Sequence, residues 1–415
     1  MPDFISEYLH YCRGTEVPVF YNRWCAILGI AGVLGRNSFV KFGASEIYPN
    51  VYCMLMGESG ARKSTAIKNI SRLLKKLGYI NIAPAKSSKE GFTLELSELS
   101  AIEQNADDIL EQNLFGNGAA QNMQTAEIFV AADEFNNFIG LGNVDFAAFL
   151  GDMWDYEGVF KYKLKNSRPI YFKDATVNIL GGNTIENLME CFPPNILSQG
   201  FFSRMIFVHC ERLDIKIHDP REPSEQETAE ILESLNEMRK TYVGEFKIPV
   251  PARLLLKKIY EGYKSLDDIR FKSYSNRRYT HLLKICMICT AARRNTVITE
   301  DNIVYANTIL NYTEQFMPKA LGEFGASRSS GVAHKIVNFV DDAQGVVDFK
   351  DIWKHVYQDL EKEGALSDIL RNLIQADRIQ IVQDGFLPNK KIVREDYAGL
   401  IDYNLLTEEE RRAKI

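Results

Sequence analysis

The chain contains no run of about 18 uncharged apolar residues, so the sequence predicts no membrane-spanning helix. Its longest apolar stretch, Trp24 to Leu34, is too short for a bilayer and predicts a buried helix. The start, Met1-Pro2-Asp3-Phe4, lacks the basic region and apolar core of a secretory signal, which leads to the expectation of a cytoplasmic protein. Excess positive charge is also missing. There are 49 Lys and Arg against 55 Asp and Glu, a net charge of −6, so any nucleic-acid contact has to be local. The seven cysteines are odd in number and stand singly among apolar neighbours, as buried thiols do in a reducing compartment. Cys286 and Cys289 form a C-x-x-C inside a helical run, but no second pair completes a zinc site. There is no internal repeat. What remains, 46% hydrophobic and 25% charged over 415 residues, is an ordinary globular composition with length for two or three domains.

One segment stands out. The apolar run Val51 to Met56 is followed by Gly57-Glu58-Ser59-Gly60-Ala61-Arg62-Lys63-Ser64-Thr65 and then a helical pattern ending at Gly78. Strand, glycine-bearing loop and Lys-Ser at a helix start make a phosphate cradle. Backbone N–H groups surround the phosphates, Lys63 reaches the β and γ oxygens, and the Ser64 hydroxyl ligates Mg²⁺. The helix N-terminus adds partial positive charge. The pattern departs from G-x-x-x-x-G-K-[ST] at Arg62, where glycine would let the backbone approach without a Cβ. Arginine there restricts the loop but brings a second cation, which predicts weaker or slower nucleotide use rather than none.

Roughly 70 residues beyond Lys63 the apolar strand Glu127 to Ala132 ends in Asp133-Glu134. Beside a phosphate loop, Asp133 suits the Mg²⁺ shell, and Glu134 can orient and deprotonate an attacking water. Further strands are predicted at Tyr79–Ala83, Thr176–Gly181 and Met205–His209. Helices are predicted at Glu90–Asn105 and Asp145–Tyr156, with a mobile loop at 113–125. Alternating strands and helices imply an α/β fold with a mostly parallel, doubly covered sheet. Asn183 follows the Thr176 strand in Gly-Gly-Asn, as a γ-phosphate contact or as a plain turn residue. Arg204 stands just before Met205, where a permanently charged fork could reach a nucleotide held by another subunit.

Three further segments carry expectations. Lys161, Lys163 and Lys165 alternate with Tyr162 and Leu164, so the lysines share one face of an extended strand. Asn166-Ser167 suits a turn, Arg168 follows it, and Ile170 to Phe172 suits the return. Gly325 to Gly331 reads as a linker. Residues 332–395 then have the order of a winged helix: helices at Val332–Val340, Phe349–Tyr357 and Ala365–Ala376, and a wing from Ile379–Val382 and Lys391–Val393. Arg371, Lys390, Lys391 and Arg394 give it a modest basic surface. Thr407 to Ile415 is charged and reads as a frayed helix.

The ordered set Tyr48-Pro49-Asn50, Gly57 to Thr65, Asp133-Glu134, Asn183 and Gly200 to Arg204 resembles a large family of uncharacterised P-loop ATPases from phages, prophages and plasmids. Those proteins are described as candidate replicative helicases or primase–helicase components. The resemblance spans about residues 15–310 and extends to the Arg before Lys-Ser. More distantly, residues 195–204 look like the finger region of superfamily 3 and minichromosome-maintenance helicases. The hairpin at 159–173 is placed like their pore hairpin, and the helices after Met205–His209 resemble the lid of AAA+ ATPases, in which Arg277 or Arg278 would contact nucleotide. The resemblance implies an AAA+-like P-loop NTPase, and together with the segment pattern it divides the chain into a helical segment 1–46, an ATPase core 47–215, a lid 216–325, the winged-helix module 332–395 and a tail 396–415. It implies an ATP hydrolase using ATP and Mg²⁺, and a homo-oligomer, as a hexamer. That oligomer would translocate on single-stranded DNA through Lys161, Lys163, Lys165 and Arg168 in the host cytoplasm. Its catalytic residues would be Lys63, Asp133, Glu134, Asn183 and Arg204. A nucleotide-switched initiator or helicase loader, and an ATPase of a packaging or defence system, remain open. No nuclease carboxylate cluster follows the core, and no primase signature is present, so a primase would be a separate chain.

Overall fold

The computed structural model describes residues 3–101, 123–163, 169–193, 196–197, 200–210, 216–266, 268–322, 328–343, 346–360, 363–375, 379–382, 385–388 and 400–412. Most of the stretch 113–125 lies outside them. So do Lys165, Asn166, Ser167, Arg168, Asn195, Ser198, Lys390, Lys391 and Arg394. The chain forms two compact units, Met1–Gly322 with Leu400–Ile415, and Glu323–Gly399.

The first unit is α/β. Two strands, β1 (Ser38–Phe42) and β2 (Ser45–Ile47), pair antiparallel and lead into β3 (Tyr52–Met56), which is buried throughout. The central sheet is completed by β4 (Thr125–Ala132), β5 (Val159–Tyr162), β6 (Ile170–Asn183) and β7 (Met205–His209). Its order is β4-β6-β3-β7, with those four parallel and β5 antiparallel on β6. The strand that ends at the acid pair is therefore separated by β6 from the strand that ends at the loop 57–62. No helix among the described residues is long and apolar enough to cross a membrane.

The predicted strand Tyr79–Ala83 shrinks to a bridge. Ile82 pairs parallel with Phe129, and Ala83 N–H donates to Phe129 O at 2.9 Å. Pro84 follows, and a proline cannot donate to the next rung of a ladder. The fourth predicted strand is longer than Thr176–Gly181, because residues 170–173 pair with β5 before the strand enters the parallel sheet. The helix predicted at Asp145–Tyr156 is Val144–Asp152, capped by Asn143, whose Oδ1 accepts from Phe146 N–H at 3.2 Å.

Helices α1 (Phe4–Tyr11) and α2 (Val19–Leu34) are joined by a strap through residues 12–18. From Phe20 to Leu34 every residue of α2 is buried, as the apolar run predicts. The described part of the C-terminal segment, through Arg412, is not a loose end: it returns to this unit in the helix Glu408–Arg412, whose Glu410 is paired with Arg23 of α2. Arg23 Nε and Nη2 donate to the two carboxylate oxygens at 2.6 and 2.7 Å, and Nη1 donates to Tyr305 Oη at 2.9 Å. Thr407 N–H and Oγ1 also donate to Glu410. Both charged groups are about as buried as core leucines, at 2% exposure each. A charged sequence reads as solvated because pattern alone does not reveal a partner 387 positions away.

The second unit has helices Arg328–Asp342, Phe349–Val356 and Glu363–Gln375, then β8 (Ile379–Val382) and β9 (Gly385–Pro388) in an antiparallel pair. Its core gathers Val332, Ile336, Val340, Ile352, Leu366, Leu370, Ile379 and Phe386. Val347 bridges to Phe386, adding a third extended segment. Two expectations change. The helix begins at Arg328, inside the expected linker. The partner of β8 is Gly385–Pro388 rather than Lys391–Val393, because Val382 faces Gly385 directly and the register closes at once.

Removing one partner of a buried ion pair leaves the other charge uncompensated, at about 3–5 kcal/mol. Glu410→Ala should lower the stability of the full chain by about that amount in urea unfolding followed by fluorescence. A loss below about 1 kcal/mol would show that the tail contributes little to the first unit.

Candidate active site

Parallel strands bring their C-terminal ends to one edge of a sheet. Here Met56, Asn183 and His209 are level with one another, and Ala132 is level with Gly181. The loop 57–62, the pair Asp133-Glu134 and Asn183 therefore emerge together. Among the sequence-predicted catalytic residues, Lys63, Asp133, Glu134 and Asn183 share this edge.

The loop leads into helix α3 (Lys63–Leu77). No side chain caps the first turn of α3, so its N–H groups remain as anion donors. Lys63 is 8% exposed, and its Nζ donates to Gly57 O and Glu58 O, both at 2.7 Å. Burial holds its ammonium below the ordinary lysine pKa. Ser64 is half-buried, and Glu58, Ser59, Gly60 and Thr65 are exposed, while Ala61 is buried. Tyr21 of α2 fixes the end of β3, its hydroxyl donating to Met56 O at 2.6 Å.

Arg62 occupies the left-handed region, φ 63° and ψ 18°. A non-glycine residue there costs about 1 kcal/mol or more. Its guanidinium is bound to the Glu16 carboxylate of the strap, with Nε at 2.8 Å from Oε2. The second cation expected at the phosphates is thus committed elsewhere.

Asp133 Oδ2 lies 2.8 Å from Lys68 Nζ, one turn into α3. Glu134 is exposed, and its Oε2 accepts from Asn137 Nδ2 at 2.6 Å. The acid pair approaches β6 closely: a Cβ added to Gly182 would lie 2.7 Å from Asp133 O. Asn183 is 3% exposed. Its Nδ2 donates to Asn136 Oδ1 at 2.9 Å, and its Oδ1 accepts from Thr184 N–H at 3.0 Å. Sequence reasoning missed Asn136, Lys68 and Glu16. Asn136 follows the acid pair by two residues and had a positional signal; Glu16 had none.

Arg204 lies at the other end of the sheet. It precedes Met205, which is level with Tyr52, so about 13 Å of strand separates it from the level of Met56. Its Nη1 donates to Gly200 O at 2.7 Å, and its guanidinium carbon lies 5.8 Å from the Trp154 ring centre. Burial and then the neighbouring Arg277 charge hold its pKa down. Arg277 Nε donates to Ser203 Oγ at 2.9 Å, so Arg277 belongs to this end. Arg278 is buried against Glu314, with Nε at 2.9 Å from Oε1. Neither is engaged at the loop of its own chain, as a lid contact would require.

The two arms of the expected hairpin, Val159–Tyr162 and residues 170–173, pair antiparallel, with Phe160 level with Phe172 and Lys161 with Tyr171, while the expected turn at Asn166-Ser167 lies outside the described residues. Lys161 and Lys163 are exposed, while Phe160 and Tyr162 are half-buried. Phe160 and Phe172 stack with centres 4.7 Å apart. At its base Gly158 N–H donates to Asp174 Oδ1 at 2.7 Å.

No family model matches the chain, and no curated protein matches it.

Near Arg204, His281 is packed on Tyr274 and Trp154, each 5.2 Å away between ring centres. Burial first, and the Lys284 charge second, push its pKa down to about 3. The unfolded chain therefore binds a proton near pH 6.5 that the folded chain refuses, and stability falls as pH drops below 6.5. Between pH 7 and pH 5 this one group should cost about 2 kcal/mol. Urea unfolding at the two pH values should show that loss, and His281→Phe should remove most of it. An unchanged slope in the variant would assign the acid sensitivity to other groups.

Proposed function

We propose that the protein is a Mg²⁺-dependent ATP hydrolase of the P-loop, AAA+-like type, acting as a homo-oligomer on single-stranded DNA. The observation that carries this reading is the shared sheet edge of Lys63, Asp133, Glu134 and Asn183. The residues fit a magnesium triphosphate. An uncapped helix start and a buried ammonium bound only to loop carbonyls suit phosphate oxygens. Among the described residues no group of three or more His, Cys, Asp or Glu is gathered to hold a metal. Mg²⁺ needs none, since it uses one or two carboxylates together with phosphates and waters. Ser64 and Asp133 would hold it, and it would supply charge neutralisation at the transferring phosphoryl group.

Residues 57–65 then bind the phosphates through backbone N–H groups, and Lys63 exchanges its loop carbonyls for phosphate oxygens. Glu134, exposed beside Asn137, orients the attacking water and takes its proton. Asn183, held by Asn136, senses the γ-phosphate. Arg204, far from its own loop, serves a nucleotide on a second copy. Lys161 and Lys163, with Lys165 and Arg168 beyond them, contact the DNA backbone. The second unit, with three helices and an antiparallel pair in sequence order, reads as a winged helix. A replicative helicase of a phage or mobile element fits this set best.

Binding and turnover of Mg²⁺–ATP separate these roles. Lys63→Ala should abolish binding. Glu134→Gln should keep binding while lowering kcat by about 100-fold or more, the usual contribution of a positioned base. Wild-type turnover in Glu134→Gln would contradict the assignment.

The hairpin is tested separately by fluorescence anisotropy with single-stranded DNA between 50 and 200 mM salt. Losing two phosphate contacts per chain should reduce the slope of log affinity against log salt by about 1.4 per chain engaged. If Lys161→Ala/Lys163→Ala binds with unchanged affinity and slope, the hairpin is not the DNA contact.

A further inference from the structure

The phosphate loop of this chain has a strained residue and an anchor on it. Arg62, immediately before Lys63, has φ 63°. Glycine reaches that conformation freely, whereas a side-chain-bearing residue does not. The Arg62 side chain is half exposed, yet its Nε and Nη2 both bind Oε2 of Glu16. The other Glu16 oxygen, Oε1, accepts from Ile217 N–H at 2.8 Å, in the segment after β7. The strap around Glu16 is itself held. Thr15 Oγ1 donates to Cys12 O at 3.0 Å, and Arg221 N–H donates to Gly14 O at 3.2 Å. One carboxylate thus joins the phosphate loop to the two segments that flank it.

We propose that Glu16 is a positioning residue for nucleotide binding. Through the Arg62 guanidinium it holds position 62 in the left-handed conformation that starts α3 at Lys63. The α3 N–H groups and the Lys63 ammonium then stay aimed into the loop. The inference rests on the phosphate-binding reading of residues 57–65. Its distinctive consequence is conditional: Glu16 matters because residue 62 is arginine. With glycine at 62 the loop needs no anchor, and Glu16 becomes dispensable for binding.

The test is a two-by-two comparison in the full chain of wild type, Glu16→Ala, Arg62→Gly and the double variant. Binding of Mg²⁺–ADP is measured by calorimetry, and amide hydrogen exchange of residues 57–65 is measured without nucleotide. Glu16→Ala alone should weaken binding about fivefold to tenfold and speed exchange in the loop, as expected when a strained conformation loses its support. Arg62→Gly should bind at least as tightly as wild type. In the Gly background, Glu16→Ala should change affinity by less than about twofold and leave exchange unaltered. Loss of the Ile217 hydrogen bond is common to both backgrounds and cancels in the comparison. An equal effect of Glu16→Ala in both backgrounds, or none beside Arg62, overturns the proposal. If neither wild type nor Arg62→Gly binds Mg²⁺–ADP, the nucleotide reading has failed, and the exchange comparison still decides whether Glu16 positions the loop.

Discussion

Everything proposed for the site depends on one constraint, the parallel register of β3, β4, β6 and β7. Because Met56 is level with Asn183 and with His209, and Ala132 with Gly181, four segments distant in sequence leave the sheet on one side. A shift of one residue in β4 would swap Ile128 and Val130 with Phe129 between two buried faces, so core packing and site geometry are fixed by the same pairing. The same directionality puts Arg204 at the opposite edge. A single chain therefore has the loop 57–62 and the acid pair on one side and a half-buried arginine pair, Arg204 with Arg277, on the other.

The helical layer is tied to that edge through α2. Tyr21 binds the carbonyl of Met56, and Arg23, two residues on, binds Glu410. Tyr312 donates to the Glu410 backbone carbonyl and Trp24 to Thr313, so the C-terminal helix, the long helix Glu300–Leu321 and the end of β3 before the loop 57–62 all meet α2. Buried ion pairs add little net stability against apolar substitutes, but they penalise alternatives strongly. Arg23 with Glu410 and Arg278 with Glu314 thus specify where two helices lie.

The sheet and the outline of the site were legible because local signals carried them. An apolar run before a glycine-bearing loop, and another ending in two acids, mark strand ends by composition alone. The hairpin's arms were legible because Lys161, Lys163 and Lys165 alternate with Tyr162 and Leu164, and Ile170 to Phe172 suits the return. What was not legible depended on long-range partners. Glu410 reads as a solvated acid until Arg23 is beside it, and Glu16 carries no motif at all. Arg62 looked like a second phosphate cation, since sequence cannot show a guanidinium already bound elsewhere. Arg277 and Arg278 looked equivalent, but one joins Ser203 and the other is buried on Glu314. Tyr79–Ala83 is reduced to a bridge at Ile82, beyond which Pro84 offers no N–H to continue the ladder.

The central claim is that the two edges of the sheet act on one nucleotide from two copies of the chain. The most direct measurement is ATP turnover by mixed variants. Lys63→Ala and Arg204→Ala chains should each be inactive alone. When mixed and allowed to exchange, they should regain activity, because some interfaces then pair an intact loop with an intact arginine. Full activity of Arg204→Ala alone, or no recovery on mixing stable, exchanging oligomers, would contradict the account.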